Sequence, residues 1–258
     1  MPAMKTGAWR WDWSAVGVCW RSRSPKRCGA AAMFARHDLV WLTRRGWQRV
    51  RAGAPEAALA ALDRWRDGGW PAVVRRAEAE MAPNEVAIGF PLPPRPEEGG
   101  KLKFGCRVEL SDIGRRTRAL PLVAALDAVP EQWRESLALL ESQAAEAGVG
   151  LAVYGSVALA ALTGQYYLTP HSDIDVLLQP TSRRQLMKGL DLLAWHAGIL
   201  PLDGEVVFPD GRAVAWKELR AAFAGAPGTR VLTKGLHRIA LVLPEELIAT
   251  LEEETCPN

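Results

Sequence analysis

The sequence predicts an α/β (α+β) protein: a mixed sheet with helices in its second half, preceded by a small β-rich domain. Three observations carry this. Apolar residues in the second half switch repeatedly between helical and strand spacing, with glycine at the segment ends. The first half holds short apolar runs broken by proline and glycine. The chain has 258 residues, 48% hydrophobic and 24% charged, enough for one large or two small domains with real cores. The expected division is an extension over 1–32, an N-terminal α+β domain over 33–125 and an α/β domain over 126–250.

Residues 1–32 set Trp9, Trp11, Trp13 and Trp20 among Arg, Ser and Gly without helical or strand periodicity. No apolar run follows the basic residues, so the segment does not read as a secretory signal. It reads as a disordered extension or an over-extended start, with Met33 opening ordinary globular patterning. From there Phe34–Leu42 is a short apolar run, Pro55–Asp67 an Ala-rich helix, and Pro71–Arg75 and Glu85–Phe90 strands. Pro91–Gly100 must be a turn or loop. Lys101–Leu110 alternates as a strand, with Leu102, Phe104, Cys106 and Val108 on one face.

The second half is more regular. Trp133, Leu137, Leu140, Ala144 and Ala147 repeat at helical spacing between Pro130 and Gly148. A strand Gly150–Tyr154, the pair Gly155-Ser156 and a helix Val157–Leu162 closed by Gly164 come next. A strand Asp173–Leu178 precedes a helix capped by Thr181 or Ser182 and running through Ala197. Glu205–Phe208 and Ala213–Trp216 flank Pro209-Asp210-Gly211-Arg212, a hairpin turn.

Composition narrows the function. The four cysteines, Cys19, Cys28, Cys106 and Cys256, are scattered, which suggests neither a disulfide framework nor a zinc site. A reducing, cytoplasmic location is expected, and no apolar run is long enough to span a membrane. The formal charge is +3, but residues 1–32 hold six basic residues against Asp12 alone, so the body is slightly acidic. The basic footprint of a nucleic-acid binder is missing.

Asp173 and Asp175 lie two apart on a predicted strand, so their carboxylates leave one face with Cα atoms about 7 Å apart. Ile174, Val176 and Leu178 then point into the core. Two carboxylates at that spacing can share a pair of Mg²⁺ ions, whereas without metal they repel. Gly155 lets the backbone approach a phosphate, and Ser156 opens a helix whose free N–H groups and dipole favour an anion. Gly-Ser after a strand, a helix, then D-x-D opening the next strand is the arrangement of a nucleotidyltransferase-type phosphoryl-transfer site. Leu177 and Leu178 occupy positions that an EF-hand needs for a ligand and a glycine. Gly99-Gly100-Lys101 lacks the rest of a P-loop, and Ser156 lacks the surroundings of a hydrolase nucleophile. The histidines form no catalytic set: His171 reads as loop surface, and His196 and His237 as structural.

At these residues the chain resembles the malonate decarboxylase holo-acyl-carrier-protein synthase family, the phosphoribosyl-dephospho-CoA transferases of the nucleotidyltransferase superfamily. Gly155-Ser156, Thr163-Gly164, Ser172-Asp173-Ile174-Asp175-Val176-Leu177-Leu178, Asp203-Gly204-Glu205-Val206 and Val214-Ala215-Trp216-Lys217-Glu218 carry the likeness. So do His37-Asp38-Leu39-Val40-Trp41-Leu42 and Pro71-Ala72-Val73-Val74-Arg75-Arg76. The resemblance implies Mg²⁺-dependent transfer of phosphoribosyl-dephospho-CoA from a triphosphoribosyl donor to a serine of an apo acyl carrier protein, releasing pyrophosphate. It maps the catalytic aspartates to Asp173 and Asp175, the expected metal ligands, while Gly155, Ser156 and Ser172 are the candidates for binding the donor. Lys217 and Lys234, after predicted strands, are candidates for the donor phosphates. A third carboxylate is expected on a neighbouring strand; Asp203 and Glu205 share a face there, and Glu205 is preferred because Asp203-Gly204 has the setting of a turn. Carrier proteins are acidic, so Arg75, Arg76, Arg107, Arg115 and Arg116 are candidate docking residues.

Overall fold

The computed structural model describes residues 34–93 and 103–252. The 1–32 extension, most of the Pro91–Gly100 loop and the Gly99-Gly100-Lys101 segment lie outside the described residues, as does Leu102.

Two sheets organise the described chain. The first is antiparallel throughout. It is built from β1 (Leu39–Leu42), β2 (Ala72–Val74), β3 (Glu85–Pro91), β4 (Lys103–Glu109) and β5 (Ile113–Thr117), in the order β4-β3-β2-β1-β5. Helices α1 (Arg44–Ala52) and α2 (Glu56–Asp67) connect β1 to β2. In α2, Ala58, Ala61, Leu62 and Trp65 fall on one face and are buried with Val40, Val74, Ile88, Phe90 and Val108. Trp65 is fully buried, and its Nε1 donates to Pro71 O at 3.1 Å, so the indole joins the core without an orphaned donor. Burial of each large side chain of this kind stabilises by roughly 1.5–3 kcal/mol. Helix α1 is an element the sequence patterning does not signal: only Gly46 and Val50 of Arg44–Ala52 are buried, and a cap in which Gly46 N donates to Thr43 Oγ1 starts it.

The second sheet comprises β6 (Leu120–Pro121), β7 (Gly150–Val153), β8 (Ile174–Gln179), β9 (Leu202–Val207), β10 (Ala213–Ala215), β11 (Val231–Lys234) and β12 (Ile239–Val242), in the order β12-β11-β10-β9-β8-β7-β6. Only β8 and β9 run parallel, joined by α5 (Arg183–His196) as the crossover. Helices α3 (Glu131–Glu146), α5, α6 (Trp216–Ala224) and α7 (Pro244–Ile248) supply Trp133, Leu137, Leu140, Leu186, Leu190, Leu193, Trp216 and Leu247 to the large core. Ile174, Val176 and Leu178 of β8 join it, as their alternation predicts. The opposite face keeps a small cluster of Ala119, Ala152 and Leu177, with Tyr154 and Val207 beside it.

The expected α/β class with a β-rich N-terminal part is therefore present. Several details differ. Leu120, Leu122 and Ala125 pack in the second core and β6 pairs with β7, so residues 120–125 belong with the C-terminal sheet rather than the N-terminal domain. Strand β8 begins at Ile174, leaving Asp173 at its threshold. Gly204 is not a turn residue. It lies inside β9 at φ +129°, where a Cβ would overlap the backbone of Val176, within 2.6 Å of its nitrogen. His196 is buried, with Nε2 2.9 Å from Gln143 Oε1, tying α5 to α3. His237 is exposed in the β11–β12 turn, not structural.

Candidate active site

The site lies on the less covered face of the second sheet. Strand β7 delivers Tyr154, which accepts the chain into helix α4 (Gly155–Thr163) and whose N–H donates to Asp175 O at 3.1 Å. Gly155 then turns at φ +64°. A Cβ there would overlap Asp175 Oδ2 and sit 3.3 Å from its Cγ, so the Gly155 backbone and the Asp175 carboxylate occupy one place only because no side chain intervenes. Ser156 follows in the first turn of α4, which carries no acidic residue. The N-terminal end of a helix, with its dipole, suits an anion.

Asp175 is half-buried and Asp173 exposed. The turn before them is held by Ser172, whose buried hydroxyl accepts from Thr169 N at 2.9 Å and lies 3.2 Å from Thr169 Oγ1. Ser172 thus braces the approach to Asp173, with its hydroxyl engaged within the turn.

The parallel register places Asp203 beside Asp175 and Glu205 beside Leu177. Asp203 is half-exposed, with Lys217 Nζ 3.5 Å from its Oδ1. Glu205 is 4% exposed and surrounded by cationic groups. Arg36 Nη1 donates to Oε2 at 3.0 Å and Nη2 to Oε1 at 3.3 Å, Lys234 Nζ donates to Oε1 at 3.3 Å, and His37 Nε2 lies 3.5 Å from Oε2. Burial works to raise the Glu205 carboxyl, but His37 and Arg36 outweigh it and hold the group at about 2. His37 is pushed down by its own burial, against the pull of Glu205. Its ring packs on Tyr154 with centroids 4.1 Å apart, and the Tyr154 hydroxyl is pushed up by burial and by the charges of Glu205, Asp175 and Asp203.

The structure thus brings Gly155, Ser156, Asp175, Asp203, Glu205, Lys217 and Lys234 to one sheet face, with Asp173 at its rim. Arg36, His37 and Tyr154 are additions that sequence reasoning missed. His37 alone among described non-glycine residues has positive φ, 69°, in a turn pinned by Ala35 N to Asp38 Oδ2 at 2.9 Å and by Arg116 on Asp38. No linear signal connects it to Glu205.

Mg²⁺ takes hard oxygen ligands and is commonly held by one or two carboxylates together with substrate phosphates. Among the described residues no group of three or more His, Cys, Asp or Glu side chains is gathered to hold a metal. Asp175 and Asp173 fit the two-carboxylate pattern. Glu205, already neutralised by Arg36 and Lys234, fits it less well. No helix among the described residues is long and apolar enough to cross a membrane.

Comparison with known proteins identifies the family. Residues 35–119 match the model of the phosphoribosyl-dephospho-CoA transferase MdcG N-terminal domain and residues 120–245 that of its C-terminal domain. The two meet where the first sheet gives way to the second. A phosphoribosyl-dephospho-CoA transferase of Xanthomonas campestris pv. campestris (strain 8004) is 37% identical over 193 residues, covering 72% of this chain and 85% of the relative. One from Bradyrhizobium diazoefficiens is 33% identical over 217 residues, covering 83% and 92%. No solved structure matches the chain. With the two domain models matching adjoining stretches from 35 to 245 and relatives covered over most of their length, the chain belongs to the phosphoribosyl-dephospho-CoA transferase (MdcG) family.

Proposed function

We propose that this chain attaches the phosphoribosyl-dephospho-CoA prosthetic group to a serine of the apo acyl carrier protein of malonate decarboxylase, as a nucleotidyltransferase-type enzyme. The donor is 2'-(5''-triphosphoribosyl)-3'-dephospho-CoA. The serine Oγ attacks the α-phosphorus of its triphosphate; the Oγ–P bond forms, the bond to the β-phosphate breaks, pyrophosphate leaves and the serine proton is released. The observation that supports the reading is the close approach of the Gly155 backbone to the Asp175 carboxylate, which sets a turn suited to phosphate beside a carboxylate.

Bound Mg²⁺ would neutralise the triphosphate and activate the attacking oxygen, held by Asp173 and Asp175. The α4 N-terminus, opened by Gly155 and Ser156, cradles the leaving pyrophosphate, while Ser172 keeps Asp173 in place. Lys217 and Lys234 add positive charge on the donor side. For the third carboxylate the register favours Asp203, next to Asp175 and partly exposed, as the group that takes the serine proton. Glu205 instead fixes Arg36 and Lys234 at the edge of the site.

The reading is tested by pyrophosphate release. With Mg²⁺, donor and apo carrier, one pyrophosphate should appear per carrier modified. Replacing the carrier serine by alanine, or adding a chelator, should stop it. Release that continues without the carrier serine would overturn the proposal.

A further inference from the structure

The five arginines that the sequence offers as a carrier-binding set are mostly engaged within the chain. Arg75 and Arg107 pair with Glu78, and Arg107 Nη1 also donates to Glu80 O at 2.7 Å. Arg116 pairs with Asp38 at 2.7 Å, and the Arg115 guanidinium lies 3.5 Å over the Trp41 ring. Of the set, Arg76 alone is exposed outside such contacts among the described residues.

The outer edge of the second sheet is different. Registers run Glu205↔Ala215, Ala213↔Lys234, Lys234↔Ile239 and Leu232↔Leu241. Paired residues share a face, and so do residues two apart on one strand. Leu232, Ile239 and Leu241 therefore lie on the face that carries Asp175, Asp203, Glu205 and Lys234. Their neighbours of opposite parity, Val231 and Val242, are buried in the main core. Leu232 is 36% exposed, Ile239 44% and Leu241 60%. Strand β12 is the last strand of its sheet, and edge strands are normally blunted by charge rather than lined with leucine and isoleucine. Two exposed arginines flank the strip: Arg230, whose Nη1 donates to Leu241 O at 3.2 Å, and Arg238, directly before Ile239. Neither is in an ion pair with a described residue.

Resting on the function proposed above, we infer that this strip, Leu232, Ile239 and Leu241 between Arg230 and Arg238, is the docking surface for the acidic acyl carrier protein. Its chemistry is that of an interface centre and rim: apolar side chains to be covered, with uncommitted positive charge around them to meet acidic side chains. Its position does the rest. The register leads from the strip through Lys234 to the strand that carries Glu205 and Asp203, so a carrier seated there has its serine on the sheet face of the carboxylates.

The test uses the full chain with Leu241→Asp and with Arg238→Glu, both at exposed positions. Initial transfer rates are measured against apo carrier and, separately, against donor, with melting temperature and sedimentation as controls. Each variant should raise the KM for the carrier at least about tenfold, the size of an interface hot spot. The donor KM and kcat should stay within about twofold. A carrier KM that does not move, or a donor KM that rises in parallel, overturns the docking assignment. A wild-type dimer that Leu241→Asp breaks apart overturns it too, by making the strip a contact between two copies. If the wild-type protein itself leaves the apo carrier unmodified, the proposed function falls and the docking surface with it. An active wild type with an unmoved carrier KM removes the docking surface alone.

Discussion

Replacing Gly155 by alanine separates the two demands placed on that residue. Its φ of +64° costs a non-glycine residue roughly 1–2 kcal/mol. The new Cβ would also overlap Asp175 Oδ2, so the carboxylate must move by an amount on the order of 1 Å. Misplacement of that size at a reacting centre costs about 100-fold in rate. Gly164, at the other end of α4, provides the control: it has φ +65°, but nothing lies within 4 Å of where its Cβ would be. Gly155→Ala and Gly164→Ala should therefore lose comparable stability in urea unfolding, about 1–2 kcal/mol each. Only Gly155→Ala should lose kcat, by about 100-fold. Wild-type turnover by Gly155→Ala, or equal loss in both variants, would refute the claim that this glycine exists to admit Asp175.

The remaining expectations concern the carboxylates and arginines. At saturating Mg²⁺, Asp203→Asn should cost at least about 100-fold in kcat and little stability, while Glu205→Gln should mainly cost stability, about 3–5 kcal/mol, by stranding Arg36. The reverse ranking of their kcat losses would return the third-carboxylate role to Glu205. Because the Glu205 carboxyl is held at about 2 in the fold, its contribution of about 3 kcal/mol is present above the ordinary glutamate value near 4.3. It is lost as pH falls through about 2, so the stability gap between wild type and Glu205→Gln should close over that window in urea titrations; a gap independent of pH would contradict the ion cluster. Arg107→Ala should leave the carrier KM within about twofold, since its guanidinium is spent on Glu78 and Glu80 O; a rise of tenfold would put carrier docking on the first sheet.

What could be read from the sequence follows the range over which each signal acts. Trp133, Leu137, Leu140 and Ala144 repeat within one helix, so their shared buried face is written in local spacing. The same holds for Asp210-Gly211, where Phe208 N donates to Arg212 O and Gly211 takes φ +84°. Gly155 and Asp175 lie on either side of one short helix, and the order of the elements already implies the approach seen between them. The Glu205 cluster was not legible. Arg36 and His37 reach Glu205 from the other domain, across a sequence separation that no periodicity spans. Gly204 misled for a related reason: a glycine after an aspartate reads as a turn, whereas here it is demanded by the backbone of Val176 on the neighbouring strand. Helix α1 was hidden because Arg44–Ala52 buries only two residues and takes its start from a single threonine cap. The arginine set shows the same limit, because sequence displays charge but not the partners, Glu78 for Arg75 and Arg107, Asp38 for Arg116 and the Trp41 ring for Arg115, that hold it.

The most direct measurement is the intact mass of the apo carrier protein after incubation with Mg²⁺ and the triphosphoribosyl donor, using wild-type enzyme and Asp175→Asn side by side. Wild type should shift the carrier by the mass of one phosphoribosyl-dephospho-CoA group. Asp175→Asn, with an unchanged fold by circular dichroism, should leave it unshifted at times when wild type is complete, since loss of the charge proposed to hold Mg²⁺ should cost at least about 100-fold. A carrier modified equally by both proteins, or by neither, would contradict the account.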